Sequence, residues 1–186
     1  MNFNKRIGEC LLSRQEILSV TTQLARKISE HFVDLRASEV GFVPVMDGAM
    51  RFCCALLDAE KYPFSISIHP MRVKTYQDTK KAEEIQNLNT SLPGTSRFPE
   101  HILIVEDIID TGATSNALVS YFQNRAHSVT LVTLLLKKKA TKSSAEKVFV
   151  GFHCPDEFVV GFGMDHNGLF RELNTVNIFN TEQVHV

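Results

Sequence analysis

The stretch Val105-Glu106-Asp107-Ile108-Ile109-Asp110-Thr111-Gly112-Ala113-Thr114 places three carboxylates and a turn of small residues between two apolar segments. Upstream, His101-Ile102-Leu103-Ile104-Val105 is a short, β-rich apolar run of the kind found in a buried parallel strand. Downstream, Thr114 to Gln123 carries Leu118, Tyr121 and Phe122 at helical spacing. The turn therefore lies at the carboxyl end of a strand, where open α/β sheets bind ligands. Thr111, Gly112, Ala113 and Thr114 offer unpaired backbone N–H groups at a helix N-terminus with little side-chain bulk, a cradle that suits a monophosphate. Glu106, Asp107 and Asp110 are costly to bury without partners, and they are natural acceptors for sugar hydroxyls, a proton or a divalent cation. Cradle and acids would then hold opposite ends of one sugar phosphate.

Outward from this turn the chain alternates strand and helix signals. Ser13 with Glu16 forms a capping-box pattern, and Ile17, Val20, Leu24 and Ile28 follow at helical spacing to about Phe32. Val40 to Val45 reads as a strand, Ala49 to Leu57 as a helix, and Phe64 to Ile68 as a half-exposed strand. The alternation continues to about Leu136, which predicts an α/β fold of right-handed βαβ units on a mainly parallel, twisted sheet flanked by helices. Beyond it the chain turns β-rich at Val148 to Phe152, Phe158 to Phe162 and Val176 to Phe179. Gln77 to Glu100 is long and polar, the mark of a mobile lid.

Two apolar residues followed by Glu106-Asp107-Ile108-Ile109-Asp110-Thr111-Gly112 resemble the phosphoribosyl-pyrophosphate (PRPP) motif of type I phosphoribosyltransferases. Leu134-Leu135-Leu136-Lys137 and the tail from Pro155 through Phe158, Val159, Asp165 and Arg171 to Leu173 extend the resemblance to the hypoxanthine-guanine phosphoribosyltransferases over nearly the whole chain. That resemblance implies one phosphoribosyltransferase domain over 1–186, with a core at about 36–150, a small hood from about 1–15 and 151–186, and a mobile loop at about 77–100. It implies purine salvage: transfer of phosphoribosyl from PRPP to hypoxanthine, and to guanine, with Mg2+, giving IMP or GMP and pyrophosphate. A xanthine-preferring enzyme and a PRPP-sensing regulator of the same fold are the alternatives.

The roles the resemblance implies are specific. Asp110 would be the catalytic base facing the purine N7, and Glu106, Asp107, Asp110, Thr111, Gly112, Ala113 and Thr114 would bind the ribose phosphate. Asp47, Gly48, Arg72, Lys74, Thr75, Tyr76 and Arg171 would meet pyrophosphate, with Thr75-Tyr76 standing where the family has a Ser-Tyr pair. Lys137, Phe158, Val159 and Asp165 would form the purine site, and Glu106, Asp107 and Asp165 would meet the metal. A lysine at the end of an apolar strand donates to a 6-oxo group and disfavours a 6-amino group. Two positions depart from the family pattern: Ala113 replaces a common lysine, and Asp47-Gly48 stands where Lys-Gly or a similar pair is usual.

Composition frames these expectations. At 186 residues the chain is long enough to bury roughly 70% of its unfolded surface as one domain. A net charge of −1 gives no electrostatic reason for nucleic acid or membrane as a partner, so small-molecule substrates are expected, bound by a homodimer or homotetramer as the resemblance implies. No stretch approaches about 18 uninterrupted apolar residues and the N-terminus lacks a signal-peptide core, which points to the cytoplasm. Cys10, Cys53, Cys54 and Cys154 form no CxxC pair and read as small buried hydrophobes, while Lys80, Lys81, Lys138 and Lys139 read as solvated surface lysines.

Overall fold

The computed structural model describes residues 6–74, 84–87 and 98–181. Its elements in chain order are β1 (Ile7–Leu12), α1 (Arg14–Asp34), β2 (Glu39–Pro44), α2 (Met50–Ala59), β3 (Ser65–Ile68), β4 (Met71–Lys74), β5 (Glu84–Asn87), β6 (His101–Ile109), α3 (Ala113–Gln123), β7 (Ser128–Lys137), β8 (Lys147–Cys154), β9 (Val159–Val160) and β10 (Val176–Phe179). The expected capping box is present: Ser13 Oγ accepts from the Glu16 N–H, and Glu16 Oε2 accepts from the Ser13 N–H at 2.9 Å. Both orphan donors at the start of α1 are thereby satisfied.

Five strands form a sheet in the order β3-β2-β6-β7-β8, and every pairing in it is parallel. Side chains alternate across its central strand. Leu103 and Val105 of β6 pack with α1 and α2 on one face, whereas Ile102 and Ile104 pack with Leu118, Val119 and Phe122 of α3 on the other. Burial on both faces explains why β6 and β7 read as continuous apolar runs instead of alternating ones.

A second sheet, β1-β10-β9, is antiparallel and joins the first strand of the chain to the last. It is the expected hood, with one change of boundary. Residues 151–154 lie in β8 of the main sheet, in register with β7 to Lys137↔Cys154, so the core extends beyond 150. Within the expected lid, β5 pairs antiparallel with β4, and Phe98 stacks edge-on against Phe122; the rest of 77–97 lies outside the described residues. Cys53 and Cys154 are buried, but Cys10 and Cys54 are exposed, because one helical step of about 100° turns Cys54 of α2 away from the core that holds Cys53. Among the described residues no helix is long and apolar enough to cross a membrane.

Candidate active site

Strand β6 runs four residues past Val105, so Glu106 and Asp107 belong to the strand and only Asp110 to Gly112 turn. Gly112, at φ +88°, caps α3 in the left-handed region that glycine adopts at little steric cost. A β-carbon there would stand 2.8 Å from Thr141 Oγ1. Thr141 in turn fastens the turn, donating its N–H and its hydroxyl to the Thr111 carbonyl at 2.9 and 3.0 Å. The N–H groups of the first turn of α3 have no intrahelical acceptor and no side-chain cap at Gly112, which leaves this helix end suited to an anion.

Asp107, Ile108, Asp110, Lys137, Phe158, Val159, Met164 and Asp165 line one cleft of about 190 Å³. Six of these eight are residues singled out from the sequence, brought together from β6 and the turn after it, the end of β7, and β9 with the residues on either side of it. The volume is below the roughly 300–1,000 Å³ of sites that enclose a drug-sized ligand, so the cleft has room for only part of one. A larger cleft of about 490 Å³ lies between α1 and β8, but its lining of Lys27, Glu30, His31, Asp34 and neighbours contains none of these residues.

Lys137 is only 6% exposed, and its Nζ donates to Asp110 Oδ2 at 3.1 Å. Partial burial raises the Asp110 pKa, but hydrogen bonds from Lys139 and Lys137 outweigh it and hold the carboxyl below its ordinary value. Phe158, 41% exposed, meets His166 edge-on at 5.6 Å. Phe158 is therefore a large aromatic left partly open at a cleft, where an isolated apolar surface has a use.

Glu106 and Asp107 part company. Adjacent strand residues point to opposite faces, so Glu106 turns toward α3 and is 4% exposed, whereas Asp107 lines the cleft. The expected placement of Glu106 beside Asp107 on one ligand is corrected on that ground. Glu106 Oε1 and Ser115 Oγ are both buried without a well-formed hydrogen bond. Burial, with the neighbouring Asp107 charge, pushes the Glu106 carboxyl up to about 8, against a smaller lowering by Ser115. Burial also raises Asp107, to about 6, opposed by the Ile108 N–H and the Arg171 charge.

The loop after β9 is braced against the core. Arg171 pairs with Asp165 at 2.7 Å and donates to the Gly163 carbonyl at 2.6 Å. Arg51 of α2 reaches the Arg171 and Leu173 carbonyls at 2.8 and 2.7 Å and the Asn174 side chain at 2.8 Å. Nothing in the sequence marks Arg51 for this role, since it sits on an ordinary amphipathic helix. Gly48 brings α2's entrance against Asp107, whose Oδ2 would lie 2.0 Å from an added β-carbon.

Asp47, an unfavourable charge for a pyrophosphate site, is neutralised: Arg72 Nη2 pairs with its Oδ1 at 2.6 Å. The Met46–Asp47 peptide is cis. Lys74 ends β4, and Thr75 and Tyr76 lie outside the described residues. Asp47→Ala is expected to leave PRPP affinity unchanged or to improve it, because Arg72 is released; titration calorimetry with PRPP checks this, and a large loss of affinity would show that the carboxylate takes part in binding.

A model of the phosphoribosyl transferase domain matches residues 9–167. The chain belongs to the phosphoribosyltransferase family. Its parallel sheet and terminal hood are the type I phosphoribosyltransferase fold expected from the sequence. The chain is 31% identical over 181 residues to the hypoxanthine-guanine phosphoribosyltransferase of Staphylococcus epidermidis, covering 96% of this chain and 97% of that one. With the Bacillus subtilis enzyme of the same name it shares 32% over 177 residues, covering 92% and 93%. Among solved structures it resembles a hypoxanthine phosphoribosyltransferase from Staphylococcus aureus, with a TM-score of 0.77 at 28% identity over 96% of both chains. It likewise resembles the Trypanosoma cruzi enzyme in complex with the product IMP, with a TM-score of 0.77 at 26% identity over 95% of this chain and 96% of that one.

Proposed function

We propose that this phosphoribosyltransferase serves purine salvage, transferring phosphoribosyl from PRPP to hypoxanthine, and to guanine, and forming IMP or GMP and pyrophosphate. The observation that carries this is the convergence of Asp110, Lys137, Phe158 and Val159 on one cleft beside the N-terminus of α3. The relatives named above and the IMP bound by the Trypanosoma cruzi enzyme support it.

The base enters against Phe158 and Val159, and Lys137 donates from Nζ to its 6-oxo oxygen. A 6-amino group there would face a donor with a donor, which leaves both unpaired in a buried site. The 5′-phosphate rests on the N–H groups of the Thr111–Thr114 turn. As purine N9 bonds to the anomeric carbon, the C–O bond to pyrophosphate breaks, the pyrophosphate leaves with the electron pair, and the N7 proton passes to the Asp110 carboxylate. Asp110 is already ionised by its lysine partners, and losing Lys137 to the base strengthens it as an acceptor.

Mg2+ is part of the proposal, and the donor set fits it. Asp107 and Asp165 offer hard oxygen ligands on the same cleft, although among the described residues no group of three or more His, Cys, Asp or Glu gathers to hold a metal unaided. Two carboxylates with substrate phosphates and water completing the shell is the usual arrangement for this ion. When bound, magnesium supplies neutralising charge to the leaving pyrophosphate. Arg171 pairs with Asp165 and stands ready for the same anion. The chain acts in the cytoplasm as a homodimer or homotetramer, which light scattering distinguishes.

The deciding experiment incubates purified protein with PRPP and Mg2+ and measures nucleotide formation from hypoxanthine, guanine, xanthine, adenine and uracil in turn. Product from hypoxanthine but not from adenine or uracil is expected. Preference for xanthine would move the assignment to that base, and PRPP binding without product from any base would make the chain a regulator. Lys137→Ala is expected to cut hypoxanthine use by roughly ten- to a hundredfold while leaving adenine nearly unaffected, so that the gap in kcat/KM narrows; a gap of undiminished size would place discrimination elsewhere.

A further inference from the structure

Four charges close a ring at the mouth of the cleft. Lys137 Nζ lies 3.1 Å from Asp110 Oδ2 and 3.7 Å from Asp156 Oδ1, while Lys139 Nζ lies 3.0 Å from Asp110 Oδ1 and 2.6 Å from that same Asp156 oxygen. The two lysines differ in setting. Lys137 is buried at the end of β7, whereas Lys139, two residues on, has a half-exposed side chain and is held from the far side by Asp156. Neither Lys139 nor Asp156 lines the cleft.

The mechanism above makes Lys137 serve two partners. In the structure it is bonded to Asp110, and to serve a base it must turn to the 6-oxo oxygen. Without another cation, that exchange would leave the Asp110 charge with only the neutral N7–H of the base as its partner, and the loss of the ion pair would count against binding. We propose that Lys139, anchored by Asp156, is a positioning residue of the base site, keeping Asp110 paired and in place when Lys137 leaves it for the purine. Lys139 is suited to this because it approaches the opposite carboxylate oxygen from Lys137, so the second bond survives the departure of the first. Its own ammonium is stabilised by Asp156 first and Asp110 second. The inference rests on the assignment of Lys137 to the 6-oxo group.

Steady-state kinetics of the full chain with Mg2+, PRPP and hypoxanthine test it through Lys139→Ala, Lys139→Arg, Asp156→Asn and the double variant Lys139→Ala/Asp156→Asn. Lys139→Ala is expected to raise KM for hypoxanthine about five- to tenfold, with KM for PRPP within about twofold of the parent. Lys139→Arg restores most of the loss, Asp156→Asn gives a smaller rise, and the double variant is no worse than Lys139→Ala, since both changes remove one device. An unchanged KM for hypoxanthine in Lys139→Ala, equal rises in both KM values, or additive losses in the double variant would overturn the proposal. Because Lys139 and Asp156 are about half exposed, these variants are expected to melt close to the parent. Should Lys139→Ala melt early, Asp156→Asn decides alone by the same KM split. Failure of the parent to form nucleotide from hypoxanthine would sink the functional assignment itself, whereas an active parent with an indifferent Lys139→Ala sinks only this inference.

Discussion

Asp110→Asn lowers turnover by about 10²–10⁴-fold, the usual worth of a positioned general base, while PRPP affinity stays close to that of the parent. Asparagine keeps the size of the side chain and one acceptor oxygen, so the turn into α3 persists. It removes the charge on which Lys137 and Lys139 both converge, and with it the carboxylate proposed to take the N7 proton. Lys137 does not become an isolated buried charge, because Asp156 remains at 3.7 Å. A fall in kcat without a fall in melting temperature is therefore the expected pattern. Steady-state kinetics with both substrates, paired with calorimetric titration of PRPP, measure it; full turnover in the variant would remove Asp110 from the chemistry.

Gly163→Ala destabilises the chain by about 2–5 kcal/mol and disables the site even where folding is retained. Gly163 sits at φ +106°, and a β-carbon on it would stand 2.1 Å from the Gly48 carbonyl oxygen, a backbone atom that cannot rotate aside. The same glycine donates its N–H to the Arg171 carbonyl and accepts from the Arg171 guanidinium. Moving it displaces Arg171 and Asp165 together, and it presses on Gly48, which is itself closed against Asp107. For a chain of this length the loss corresponds to a drop in melting temperature of roughly 5–15 °C. Gly168→Ala is the control: φ is +79°, but nothing lies within 4 Å of the added carbon, so only a backbone cost of about 1 kcal/mol applies. Thermal unfolding of the pair separates crowding from conformational strain, and equal shifts would show that the approach to Gly48 is not what demands glycine.

The features legible along the chain are those set by interactions between near neighbours. An apolar run at His101 to Val105 marked the start of β6, a Ser13–Glu16 pair marked the start of α1, and small residues after a strand marked the cradle at the head of α3. The family pattern then named Asp110, Lys137, Phe158, Val159 and Asp165, and these do share one cleft. Part of the misplacement of Glu106 was also legible, since period-two alternation sends it and Asp107 to opposite faces once the strand is known to continue to Ile109. Which charges meet is set by packing between distant segments. Asp47 is tamed by Arg72 twenty-five positions away, Lys139 is held between Asp110 and Asp156, and Arg51 braces a loop 120 positions distant. Such pairings depend on strand register and on the close approach of Gly48 and Gly163, where a displacement of one ångström breaks a bond, and a one-dimensional pattern carries no record of distance on that scale.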